Sequence, residues 1–141
     1  MTFGTNLQDK LRYNTFTMTN ISAMEETASL FQALGQPTRL QILLALGVGE
    51  ACVCHLEATF GWRQAYLSQH LMALRKAGIV TSNRVGRNIH YRLNNPELLG
   101  LIRQAALLMG QSLPEPCASA DCNCPDCTSR REACSPASLY K

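Results

Sequence analysis

The chain lacks any run of 18 or more apolar residues, so a membrane span is not expected. The first twenty residues, MTFGTNLQDKLRYNTFTMTN, hold no apolar core of a secretory signal, and a cytoplasmic location is expected. The first 51 residues contain no cysteine, whereas five of the seven cysteines fall in the last 25 residues. Cysteines so unevenly spread in a reducing compartment read as metal ligands or redox groups rather than as a disulfide frame. There is no internal repeat. No Cys-x-x-Cys opens a helix within a strand–helix–strand unit, so thiol oxidoreductase chemistry is not expected, and the chain reads as a non-enzyme. The most informative absence is acidic charge: between Ala58 and Pro96 there is no Asp or Glu, while Arg63, Arg75, Lys76, Arg84, Arg87 and Arg92 all lie there. The net charge of +3 says little, but this local bias is what a surface facing phosphates requires.

What is present organises around residues 51–80, ACVCHLEATFGWRQAYLSQHLMALRKAGIV. Cys52 and Cys54 stand at an expected helix start, with Cys52 in the cap position usually held by Ser, Thr, Asp or Asn. This third helix is expected over Val53–Phe60. Gly61 makes a turn, and a fourth helix is expected over Gln64–Ala77, with Leu67, Leu71 and Leu74 spaced for a core-facing stripe. Gly78 closes it. Upstream, Thr19-Asn20 is expected to cap a first helix carrying Ile21, Met24, Ala28, Phe31 and Leu34, and Pro37 to open a second, buried one. Downstream, strands are expected at Ile79–Arg84 and Asn88–Leu93, joined through Val85-Gly86-Arg87. Asn95-Pro96-Glu97 then starts a last helix that runs to about Met109. That helix is apolar on more than one face, which implies a dimer. The expected fold is mainly α with a small β-hairpin: a homodimeric winged helix-turn-helix. Residues 1–18 form a flexible N-terminal segment, 19–112 the DNA-binding and dimerisation domain, and 113–141 a Cys/Pro-rich tail.

Two sets of residues carry chemistry. Gln64, Ser68 and Gln69 on the fourth helix, with Tyr66 beside them, are candidates to read base edges. Gln can pair with adenine in the major groove, and Ser with a base or a phosphate. Arg84 and Arg87 in the hairpin suit the DNA backbone or minor groove, Arg87 being the better placed at the tip. The bland alternative is that these side chains only solvate the surface. The second set is Cys52 and Cys54. Near a helix start their thiolates form readily, and soft thiolates select As(III), Sb(III), Cd(II), Pb(II) or Hg(II) over harder ions. Side chains two apart on a regular helix diverge, so both reach one ion only if the first turn loosens or Cys52 stays outside the helix as its cap. The bland alternative is a pair of small buried thiols. His55 is expected to be solvated, His70 and His90 to lie near DNA or to pack, and Trp62 to pack at the helix-turn-helix corner.

Five motifs in order resemble the arsenic-repressor (ArsR/SmtB) family: Leu34-Gly35-Gln36-Pro37-Thr38-Arg39-Leu40, Cys52-Val53-Cys54-His55-Leu56, Leu67-Ser68-Gln69-His70-Leu71, Lys76-Ala77-Gly78-Ile79-Val80 and Gly86-Arg87-Asn88-Ile89-His90-Tyr91. The resemblance covers roughly residues 20–110. It implies a repressor that binds double-stranded operator DNA as a homodimer and dissociates when a thiophilic ion binds. Glu57 stands where arsenic-binding members often carry a third cysteine, and the cysteines that cadmium- and lead-binding members add near the N-terminus are missing. Residues 95–111 hold neither Asp nor His, which argues against a zinc, cobalt or nickel site there. As(III) prefers three thiolates, so Cys117, Cys122, Cys124 or Cys127 is expected to complete the set. The tail cysteines also fit a separate metal site or a disordered segment. The alternative function is a redox-sensing repressor without metal. A Cys-x-Cys pair is too close for an easy unstrained bridge, so tail cysteines would take part in that case.

Overall fold

The structure is a computed structural model that describes residues 7–114, with side chains described from residue 21 onward. The chain divides into two compact units between Gln32 and Ala33. The first unit is helical. Helix α1 spans Leu7–Leu34 and passes through Thr19-Asn20 without stopping, so the expected start there is wrong by nearly four turns. No Pro or Gly lies between Leu7 and Leu34. Ser, Thr and Asn inside a helix cost only a few tenths of a kcal/mol each, so a capping pair without a breaker does not end one. Ile21, Met24 and Phe31 stay exposed on α1.

The second unit contains the core. Helix α2 (Pro37–Leu46) begins with Pro37 in the first turn, where its missing N–H is no loss. Its Ile42, Leu43 and Leu46 are buried. Helix α3 (Val53–Phe60) ends on Gly61, whose φ of 66° gives the left-handed conformation that lets the chain turn at once into helix α4 (Gln64–Lys76). Leu67, Leu71 and Leu74 of α4 are fully buried, as their spacing requires. The end of α4 is a Schellman motif: the Ile79 N–H donates to Leu74 O at 3.0 Å and the Gly78 N–H to Arg75 O at 3.0 Å. Ile79 and Leu74, the two positions whose apolar contact usually accompanies this motif, are both buried. Helix α5 (Glu97–Leu108) starts as expected, with Asn95 Oδ1 accepting from the Glu97 N–H at 3.0 Å. It buries Leu99 and Ile102 and leaves Leu101, Leu107, Leu108 and Met109 exposed.

Strands β2 (Val80–Val85) and β3 (Asn88–Leu93) form the hairpin, one residue displaced from expectation at the start and including Val85. A third strand was not legible: β1 (Glu50–Cys52) pairs antiparallel with β3, giving the sheet order β1-β3-β2. Three residues are too few to show a period of two, and their partners Arg92, Tyr91 and His90 lie some forty residues on. One face of the sheet carries Ala51, Tyr91, Leu93 and Val80 into the core. Among the described residues no helix is long and apolar enough to cross a membrane.

Candidate nucleic-acid interface and thiol site

Helix α4 separates its residues sharply around the core stripe of Leu67, Leu71 and Leu74. At about 100° per residue, Gln69 points roughly opposite the stripe, together with Ala65, Met72 and Lys76. Gln69 is exposed, and Met72 is exposed as well, at 61%. Gln64 is exposed in the first turn and Ser68 is half-buried on the flank below it. Tyr66 lies on the other flank, so it does not share a surface with Gln64 and Ser68. Its hydroxyl is hydrogen-bonded to Thr38 Oγ1 of α2 at 2.9 Å, and its ring meets His70 edge-on at 4.7 Å. Burial first, and the nearby Arg39 guanidinium second, hold the His70 pKa below its ordinary 6.5. Trp62 does pack at the corner, stacked on Phe60 at 4.4 Å and edge-on to Tyr66 at 5.6 Å.

The hairpin presents Arg84 and Arg87, both exposed. Arg84 Nε donates to Gly86 O at 3.3 Å, which folds that guanidinium back along the turn. Arg87 occupies the two-residue connection itself. Arg75 Nη1 of α4 donates to Ser82 Oγ of β2 at 3.2 Å and joins the helix to the hairpin. Neither Thr38 nor Ser82 stood out in the sequence. Their role depends on partners 28 and 7 residues away that only folding brings near.

At the start of α3, Cys52 is the N-cap, with extended backbone (φ −80°, ψ 161°) and a sulfur that accepts the His55 N–H at 3.3 Å. Its place outside the helix resolves the geometric conflict of the Cys-x-Cys spacing. The Cα atoms of Cys52 and Cys54 are 5.3 Å apart and the two sulfurs are joined as a disulfide. The expectation that such a pair does not bridge is therefore corrected: it holds for two residues inside one helix, but an extended cap residue turns its side chain back over the first turn. Cys52 is 2% exposed, while Cys54 is half-buried. His55, expected to be solvated, is buried at 4% exposure. His55 and Leu56 are the two buried residues of α3, a helix that packs against both the sheet and α4. Among the described residues no group of three or more His, Cys, Asp or Glu side chains could hold a metal ion. The described residues thus offer two soft donors. Cys117, Cys122, Cys124 and Cys127 lie outside the described residues.

The family model described as "Bacterial regulatory protein, arsR family" matches residues 36–82, from the start of α2 into β2. A transcriptional repressor SmtB homolog of Synechocystis is 34% identical over 87 residues, covering 62% of this chain and 66% of that protein. An arsenical resistance operon repressor of Staphylococcus xylosus is 36% identical over 80 residues, covering 57% of this chain and 76% of that protein. The matches to SmtB-type relatives span just under two thirds of their length, 66% and 65%. Among solved structures, reduced HlyU from Vibrio cholerae aligns with a TM-score of 0.56 at 32% identity, covering 67% of this chain and 98% of that one. These relatives are transcriptional regulators rather than enzymes. With the helix order, the hairpin and the ordered motifs in agreement, the chain belongs to the ArsR/SmtB family of winged-helix regulators.

Proposed function

We propose that this chain is a transcriptional repressor that occupies operator DNA as a homodimer in the cytoplasm and is released when a thiophilic ion binds Cys52 and Cys54. As(III) and Sb(III) are the favoured inducers, with Cd(II), Pb(II) and Hg(II) as alternatives. The observation that carries this reading is the convergence of both sulfurs at the start of α3, the helix that leads through one short turn into α4. In the reduced protein the pair supplies two soft donors. A third, from Cys117, Cys122, Cys124 or Cys127, completes the set, and ordering that tail is offset by metal–sulfur bonding. On this reading residues 19–112 bind DNA and dimerise, and 113–141 serve the sensor. Gln64, Ser68 and Gln69 read base edges, Arg84 and Arg87 hold phosphates, and Tyr66 braces α4 against Thr38. The apolar residues left exposed on α5 are a surface a second copy would cover, and those left exposed on α1 are another.

The test is titration of arsenite, antimonite, Cd(II), Pb(II), Hg(II) and Zn(II) into the reduced protein–operator complex. Release by arsenite or antimonite at stoichiometric ion is expected; release by none of the thiophilic ions would sink the reading. Truncation after Gln111 separates the tail: equal release by the shortened chain would leave the tail out of the sensor.

A second reading, a redox-sensing repressor without metal, draws support from the disulfide itself. A two-electron oxidant such as a peroxide would take both thiols to the disulfide, and no tail cysteine is needed for that bond. Release by peroxide with arsenite inert would favour it.

A further inference from the structure

Strand β1 puts Cys52 in the same sheet as the hairpin. In the register of that sheet Cys52 stands opposite His90, and His90 stands opposite Asn83. The three form one cross-strand row on the face away from Tyr91 and Leu93. The neighbouring row on that face is Glu50, Arg92 and Thr81. There the lateral contacts are explicit: Arg92 Nε donates to Thr81 Oγ1 at 3.4 Å, and Arg92 Nη1 lies 4.0 Å from Glu50 Oε1. Residues directly opposite in antiparallel strands have Cβ atoms about 4.5–5.5 Å apart. Cys52 is 2% exposed and His90 5%, so neither can swing into solvent when the other moves.

We propose that His90 is a positioning residue through which the state of the Cys52–Cys54 pair reaches the hairpin, so that the wing is an output of the sensor in its own right beside α4. The inference deepens the proposed function and rests on it. A two-electron reductant such as a thiol or phosphine first opens the disulfide to two thiols; an ion then bound between them displaces their protons, takes Cys52 Sγ from its cap on the His55 N–H, and changes where that sulfur sits. A close-packed neighbour must follow. His90 is three residues from Arg87, about 10 Å along the strand. The α3–α4 turn lies at the far end of an eight-residue helix, about 12 Å from the same sulfurs. With the cross-strand step of about 5 Å from Cys52 to His90 added, the wing tip is about 15 Å from the sensor along this path, comparable with the start of the reading helix. It is reached through β-ladder hydrogen bonds rather than through a turn.

Operator affinity is measured by anisotropy on the full chain, in a phosphine reductant at low salt, with and without saturating arsenite. Three proteins are compared: the natural sequence, Arg87→Ala and His90→Gln. If the wing disengages when the sensor fills, Arg87→Ala weakens arsenite-free binding by about tenfold but leaves arsenite-bound binding within about twofold of the natural chain. An equal loss in both states overturns the proposal. His90→Gln is expected to bind arsenite, read by its thiolate–arsenic absorbance, while the ratio of affinities without and with arsenite falls by about tenfold. An unchanged ratio in a variant that still melts cooperatively overturns it too. If His90→Gln does not fold, the Arg87 arm decides alone. If the natural chain binds arsenite and keeps its operator, the repressor reading fails first. That result is distinct from a chain that releases DNA with the Arg87 contribution intact, which refutes only the wing.

Discussion

The two helices of the helix-turn-helix differ most at their first turns. α3 begins inside the protein: Cys52 belongs to a strand, Cys54 is half-buried and His55 is covered. α4 begins in the open, with Arg63, Gln64, Ala65 and Tyr66 all exposed. One start is held by a sheet, a cap bond and close packing. The other is held by its core leucines, by the hydroxyl contact of Tyr66 to Thr38 and by the Tyr66 ring against Trp62 and His70. A sensor benefits from the first arrangement, because a buried change must be passed to its neighbours. A reader benefits from the second, because exposed polar groups meet base edges at little structural cost.

The contrast can be broken in order of effect. The largest change is expected from Cys54→Ser, which keeps a small polar residue in α3 but removes one soft donor. Operator binding should persist and release by arsenite should disappear. A Cys54→Ser protein that is still released by arsenite would detach the sensor from this helix.

Next comes Leu71→Ala, on the buried side of α4. A fully buried leucine cut to alanine costs about 2–5 kcal/mol, so the melting temperature should fall by many degrees. A drop no larger than that of Gln69→Ala, on the opposite side, would mean that α4 is not anchored by its stripe.

Gln64→Ala is expected to leave stability unchanged and to cost about 1–3 kcal/mol of discrimination at one base pair. Binding-site selection with the variant checks this. An unaltered preferred sequence would move base reading to Gln69 or to the hairpin.

The smallest effect concerns His70. Its pKa is held below 6.5, by burial first and Arg39 second, so the folded state favours the neutral ring. The unfolded chain takes up a proton as pH falls past 6.5, and the folded one only lower down. Stability from this site is therefore present above 6.5 and declines as pH drops toward the folded pKa. Denaturant melts of the natural chain and His70→Gln across that window should converge as pH falls. Parallel curves would show that the ring carries no such linkage.

The elements that sequence made legible are those written in local signals. Pro37, the Cys52 cap position, Gly61, Gly78 and Asn95-Pro96 mark where helices start and stop, and the leucines of α4 announce their stripe at helical spacing. The acid-free stretch coincides with α4 and the hairpin, and the ordered motifs pointed to the family. Misread or missed were α1 before Thr19, strand β1, the burial of His55 and the direct Cys52–Cys54 bond. In α1 a cap signal was present without a breaker to enforce it. Tyr66 was grouped with the readers by nearness in sequence, but helical rotation sets it on the flank that faces Thr38.

The sequence by itself determined helices α2 to α5, the hairpin and the apolar stripe, because turn chemistry and hydrophobic period act over a few residues. Tertiary structure alone decided that Glu50–Cys52 is a strand, that Cys52 turns its sulfur back onto Cys54, and that His90 shares a row with it. Those outcomes depend on β3, which closes onto β1 some forty residues later in the chain. A strand takes its backbone partners from whatever folds beside it, so three residues carry no local record of a pairing made at such distance.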